Sequence, residues 1–225
     1  MNTYFIKTVF NIILVSIPYL GFSQLNEIKI RFIGNCGLYL SDGNSNLYTD
    51  FPYKSGAYGY MKYDPIEIDS IKENALFLFT HQHADHYSKK IIKQIQNKHK
   101  GSVFGSWNTD EFDKLNKAMS DFKIEIFKTK HRFSVAHYSY LITWHGKRIF
   151  LSGDTETADT IAGIKNINWA FMPYWVMLDA NEKNLKIDTE KVGIYHLYPN
   201  QKINNTSPEK IVLLNQQGAV IKIQY

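Results

Sequence analysis

From Glu27 to Ile33 polar and apolar residues alternate (Glu27-Ile28-Lys29-Ile30-Arg31-Phe32-Ile33), the period of a strand with one buried face. Gly34-Asn35-Cys36-Gly37 reads as a tight loop and 38–41 as a second short strand. Asp42-Gly43-Asn44 is a hairpin turn, and 46–50 ends a third strand. Residues 51–63 are rich in Tyr and Gly with neither a helical nor a strand period, which predicts a long surface loop. The run Ala75-Leu76-Phe77-Leu78-Phe79-Thr80 is continuously apolar, as in a strand covered on both faces. Ser88 is placed to N-cap a helix through Lys98, with Ile91, Ile92 and Ile95 on one face. The pattern then predicts a strand at 102–105, a helix at 109–119 and a strand at 122–128. A hairpin at 138–144 and 148–152 follows, turning at His145-Gly146-Lys147. Strands at 168–172 and 192–197, a helix at 208–214 and a closing strand at 219–224 complete the reading. Strands first, then strands mixed with helices, imply layered sheets with helices outside.

Composition narrows this modestly. A chain of 225 residues, 44 % hydrophobic and 21 % charged, has the material for one sizeable folded domain and is not disordered. Its net charge of +5 falls short of the dense basic patch of a dedicated nucleic-acid binder. The single cysteine, Cys36, excludes an intramolecular disulfide framework and any multi-cysteine zinc site. At the N-terminus Lys7 precedes an apolar run from Val9 to Leu20, interrupted by Asn11 and Pro18 and shorter than the roughly 20 residues a membrane span needs. Gly21-Phe22-Ser23 supplies the small-x-small pattern of a cleavage site. Residues 1–23 are therefore expected to be a signal peptide, with the domain at 24–225 released outside the cytoplasm, periplasmic or secreted. A retained membrane anchor is the alternative.

The chemistry concentrates in Thr80-His81-Gln82-His83-Ala84-Asp85-His86, directly after the buried strand. Three of the chain's eight histidines and one aspartate fall within six positions. Imidazole suits zinc and other late transition metals, and carboxylate adds a harder donor. His81 and His83, two apart, can point the same way from an extended segment, while Asp85 and His86 on the next turn can reach a second ion.

At these residues the chain resembles the metallo-β-lactamase superfamily, whose signature is His-x-His-x-Asp-His at a strand end. Ser152-Gly153-Asp154-Thr155 and Ile194-Tyr195-His196 resemble its later motifs, and Asn46 to Asp50 resembles its early supporting strand. The resemblance implies an α/β fold, a four-layer αββα sandwich with metals at one edge between the sheets. It implies that His81, His83 and a third histidine hold one ion, that Asp85, His86 and His196 hold another, and that Asp154 bridges them. Asp50 would support the site from behind, or simply serve as a turn residue before Pro52. The third histidine is open between two residues. Hairpin arithmetic sets 138 opposite 154 and so brings His137 near Asp154, whereas the family's spacing before Tyr138-Ser139-Tyr140 favours His131. His131 is taken as the ligand and His137 as a supporting or substrate-contacting residue. Cys36, in a different motif, reads as a small buried residue, and His99 and His145 as surface histidines.

Two divalent ions, zinc first with manganese or iron as alternatives, would activate a hydroxide that Asp85 orients and relieves of its proton. This suits hydrolysis of a small ester, lactone, thioester or phosphodiester, with the lactonase-like branch as the nearest subgroup. The expected partner is a small molecule rather than nucleic acid, with no membrane insertion once the signal is cleaved. Two other functions share the motif: a nucleic-acid phosphodiesterase of the tRNA 3′-processing type, and a non-catalytic metal-binding module. Aromatic residues in 51–60 and in Met172-Pro173-Tyr174-Trp175 are candidates for the pocket walls.

Overall fold

A computed structural model describes residues 26–120, 122–204 and 207–225, so the expected signal peptide, residues 1–23, lies outside the described residues. The first sheet is built from β1 (Glu27–Gly34), β2 (Gly37–Ser41), β3 (Asn46–Thr49), β4 (Leu76–Phe79), β5 (Ser102–Gly105) and, from the far end of the chain, β12 (Val220–Gln224). Its order is β12-β1-β2-β3-β4-β5. The second sheet contains β6 (Phe122–Thr129), β7 (His137–Trp144), β8 (Lys147–Leu151), β9 (Ile167–Pro173), β10 (Thr189–Tyr195) and β11 (Ile211–Leu213), in the order β11-β10-β9-β8-β7-β6. Each sheet is antiparallel on one side and parallel on the other.

Side-chain parity then sorts the layers, because successive strand residues point to opposite faces. Ile28, Ile30, Leu38, Leu40, Leu47, Leu76 and Leu78 of the first sheet join Ile124, Tyr140, Ile142, Trp144, Ile149 and Leu151 of the second in the central core. The alternate residues face outward. Tyr48, Phe77 and Phe79 pack with Ile68 of the short α1 (Ile66–Asp69) and under Ile92 and Ile95 of α2 (Lys89–His99). Leu141, Phe150, Ala170 and Ile194 pack under Ile161 of α4 (Asp159–Ala162) and under Val176 and Ala180 of α5 (Tyr174–Glu182). Buried on both faces, β4 shows the unbroken apolar run that marked it in the sequence. The result is the expected helix–sheet–sheet–helix arrangement. No helix among the described residues is long and apolar enough to cross a membrane.

The structure corrects four local readings. Residues 208–214 form no helix: Ile211–Leu213 is the edge strand β11, parallel to β10, because sheet pairing with Val192–Ile194 overrides local propensity. Residues 51–63 do form a loop, with Lys54, Tyr58 and Lys62 exposed, but it is only partly at the surface. Phe51, Tyr53 and Tyr63 are buried in mutual edge-to-face contacts, so rings rather than a backbone period anchor the segment. The helix expected at 109–119 is a 3-10 turn (Thr109–Glu111) leading into a shorter α3 (Phe112–Ala118). The β7–β8 hairpin turns on two residues, with Trp144 opposite Lys147 and Tyr140 opposite Leu151, one step away from the arithmetic that sets 138 against 154.

Candidate metal centre

The candidate residues collect where chain segments leave one edge of the sandwich. Asp50 follows β3, His81 to His86 follow β4, Asp154 follows β8 and His196 follows β10. Asp50 and His196 take positive φ (45° and 57°), turning the chain sharply where a strand would otherwise continue. Gly153 also takes positive φ (58°), and a Cβ there would meet His137 Nε2 at 2.7 Å and Thr80 Cβ at 2.8 Å. Only glycine fits there, and it carries Asp154 into the cluster.

Two groups of donors converge, and the donor atoms within each lie within 4.8 Å of one another: His81, His83 and His131, and Cys36, His86, Asp154 and His196. Asp154 joins them, with Oδ2 2.9 Å from His196 Nε2 and 3.8 Å from His131 Nε2, and Oδ1 3.1 Å from His86 Nε2. Asp85 Oδ2 stands 3.3 Å from His196 Nε2 and 3.5 Å from His86 Nε2.

Neighbours fix which nitrogen of each ring faces inward. Thr80 Oγ1 donates to Asp50 (2.9 Å) and so accepts from His81 Nδ1 (3.1 Å), which leaves the lone pair on His81 Nε2. His86 Nδ1 donates to Asp50 Oδ2 (3.0 Å), leaving its Nε2 free. His83 Nε2 donates to the Phe133 carbonyl (3.2 Å), so its Nδ1 lone pair faces His131 Nε2 at 3.1 Å. His81 Nε2 is buried without a hydrogen-bond partner, and the buried Nε2 atoms of His86 and His196 face the Asp154 and Asp85 carboxylates without a well-aligned hydrogen bond. Imidazole nitrogens and carboxylates crowded together in a dry interior are costly unless protons or a cation balance them, so the donor set fits divalent metal.

The electrostatics agree. Burial, reinforced by the neighbouring His86, holds His81 well below the ordinary imidazole range, keeping it neutral as a ligand must be. Burial would raise Asp85 and Asp154, but hydrogen bonds and charge from His196 and His86 outweigh it and both stay ionised. His86 and His196 are pushed up despite their burial, chiefly by Asp154. The buried carboxylates thus demand positive charge, which protons supply at these two rings or cations can supply in their place.

His137 sits apart from this set. It accepts from the Asp154 main-chain N–H (2.9 Å) through Nε2 and donates to Thr129 Oγ1 (2.7 Å) through Nδ1. Both nitrogens are engaged and the ring is buried, so it positions Asp154 and joins neither donor group. Asp50 holds Thr80 and His86 from behind.

Three features escape the sequence reading. Cys36 Sγ lies 3.7 Å from Asp154 Oδ1, beside a motif more than a hundred residues downstream. Asn35 Nδ2, in the β1–β2 loop, donates to the Asp85 main-chain oxygen (2.8 Å) and to Oδ2 (3.3 Å), a contact that no local pattern marks. His99 is buried against Glu73 (2.9 Å) rather than at the surface, while His145 pairs with Asp42 (2.8 Å) at the hairpin end. The aromatic walls are part of the picture too: Tyr60 meets the His196 ring edge-on at 4.1 Å, and Trp175, on helix α5 rather than a loop, meets it at 5.2 Å. A depression of about 390 Å³ opens beside His83, bordered by Trp107, Phe133 and Val135. Another, of about 690 Å³, borders His131 and is rimmed by Lys128, Lys130 and Arg132.

No protein-family model matches the sequence. A search of curated proteins found no match either. Solved structures do match. Igni18, a metallo-hydrolase of Ignicoccus hospitalis, superimposes with a TM-score of 0.64 at 15 % identity, covering 88 % of this chain and 99 % of that one. The metallo-β-lactamase fold protein YhfI of Bacillus subtilis gives 0.59 at 16 % identity, covering 88 % and 99 %. A protein of Parabacteroides distasonis assigned as a metal-dependent hydrolase gives 0.59 at 22 % identity, covering 84 % and 94 %. Two six-stranded sheets between helices, matched over nearly the whole length of these neighbours, establish that the chain has the metallo-β-lactamase fold.

Proposed function

We propose that the protein is an exported metal-dependent hydrolase that uses two divalent ions to cleave a small ester, lactone, thioester or phosphodiester. The observation that carries this reading is the pair of converging donor groups joined by Asp154, with buried imidazole nitrogens and carboxylates crowded against one another. Two divalent ions bound there would polarise a carbonyl or phosphoryl oxygen and acidify water.

The chain's own residues do the rest. Asp85, ionised and tethered by Asn35, orients an attacking water and accepts its proton. Asp50 and Thr80 lock the rings of His86 and His81, and His137 fixes the Asp154 backbone, so the donors are held in place before substrate arrives. Tyr60 and Trp175 shield one side of the cluster from water. Trp107, Phe133 and Val135 offer an apolar wall on the other, matched to a small organic substrate.

The test is a hydrolysis screen of the zinc- and manganese-loaded protein against lactones, thioesters, carboxylic esters and phosphodiesters, with structured RNA alongside. Turnover of a small ester-type substrate is expected. RNA cleavage alone, lost steeply as salt rises, would move the reading to a nuclease, and absence of all turnover to a binding module.

A further inference from the structure

We propose that Cys36 is a metal ligand, its thiolate completing a four-donor pocket with His86, Asp154 and His196. The inference rests on the reading that this cluster holds metal.

All four donor atoms lie within 4.8 Å of one another and all four residues are buried. In a tetrahedral zinc site, Zn–S of about 2.3 Å and Zn–N or Zn–O of about 2.0 Å put sulfur and oxygen ligands about 3.5 Å apart and the lighter donors about 3.3 Å apart. Cys36 Sγ stands 3.7 Å from Asp154 Oδ1, His86 Nε2 3.1 Å from the same oxygen, and His196 Nε2 2.9 Å from Oδ2. With Asp154 offering Oδ1 to Cys36 and His86 and Oδ2 to His196, these three spacings are close to those of donors around one ion. Cys36 packs with the central apolar core on one side, as a small buried residue would. Its sulfur, however, lies against a carboxylate and two imidazoles whose buried Nε2 atoms have no well-aligned hydrogen bond.

The loop that carries Cys36 is tied to the same residues. His196 N–H donates to the Asn35 carbonyl (3.0 Å), and Asn35 Nδ2 holds Asp85. The sulfur is thus fixed relative to its partners by two independent contacts of its neighbour. With a thiolate in the set, Asp85 is not needed as the fourth donor and is left to handle protons. The two ions would also differ: three imidazoles for one, and a thiolate, two imidazoles and a carboxylate for the other. The second set favours softer ions such as zinc, cobalt(II) and cadmium over magnesium or manganese. Binding is balanced by release of the thiol proton to solvent as the sulfur–metal bond forms.

Zinc-edge X-ray absorption of the zinc-loaded full chain tests this directly, because Cys36 is the chain's sole cysteine. A sulfur shell near 2.3 Å, at about half a sulfur per zinc with two ions bound, is expected. A shell of nitrogen and oxygen alone would overturn the proposal and leave the metal centre standing. A chain that retains no zinc would overturn both. In the cobalt(II)-loaded protein a near-ultraviolet thiolate-to-cobalt band should be present and should be lost in Cys36→Ser. A band that survives the substitution contradicts the assignment, and if that variant does not fold, the absorption edge of the unaltered protein decides.

Discussion

At the scale of single residues, the site separates atoms that hold metal from atoms that hold those atoms. In the proposed centre Asp154 is the shared donor, so Asp154→Ala should lower bound metal from two ions to one or none, as read by elemental analysis. His131 and His137 differ by geometry: one has a ring nitrogen facing His83, the other has both nitrogens committed. His131→Ala should remove an ion, whereas His137→Ala should retain both and loosen the backbone of Asp154; the reverse pattern would exchange their roles. His137 also has a pH signature. Burial pushes it down to about 3, with Asp154 opposing and His131, His86 and His83 adding to the shift. The unfolded chain takes up this proton near 6.5 and the folded chain does not. This contribution to stability is therefore present above about pH 6.5 and lost as pH falls toward 3, by up to about 1.4 kcal/mol per pH unit. In denaturant titrations of chelated protein between pH 7 and 4, His137→Gln should show a shallower loss than the unaltered chain. An equal slope would show that His137 takes up its proton without penalty in the folded state.

At the scale of elements, strand ends aim the donors. Gly153→Ala would force a Cβ against His137 and Thr80 at positive φ and should cost about 1–3 kcal/mol, read as a lowered denaturation midpoint together with weakened metal binding. Full stability with unchanged metal content would contradict the tight fit. Much of this scale was legible in the sequence. The alternation in β1 and the apolar run in β4 were clear because one is half-buried and the other buried on both faces. The cluster after β4 was legible because its donors are neighbours in the chain. What escaped depends on distant partners. β11 is a strand because β10 is beside it, and Phe51 and Tyr53 are buried because Tyr63 meets them. Cys36 reaches Asp154 only because the two sheets meet at that edge, which no local pattern records.

At the scale of the whole molecule, a sandwich with its donors at one edge is stabilised by whatever binds the folded state alone. Stripping metal with a chelator should lower the thermal midpoint, and re-adding zinc at about 1,000 times its dissociation constant should restore about 4 kcal/mol. Asp85→Asn should lower turnover by orders of magnitude with little change in KM, because Asp85 serves proton transfer rather than substrate binding. It should still bind two ions if Cys36 supplies the fourth donor. Protein recovered outside the cytoplasm should begin at Gln24 on N-terminal sequencing, and an intact Met1 would favour an anchor instead. Every functional expectation rests on there being two ions rather than one. Elemental analysis of the full chain, loaded with zinc and freed of excess, reads that number directly. The account predicts two zinc ions per chain, and one or none under metal-replete conditions would contradict it.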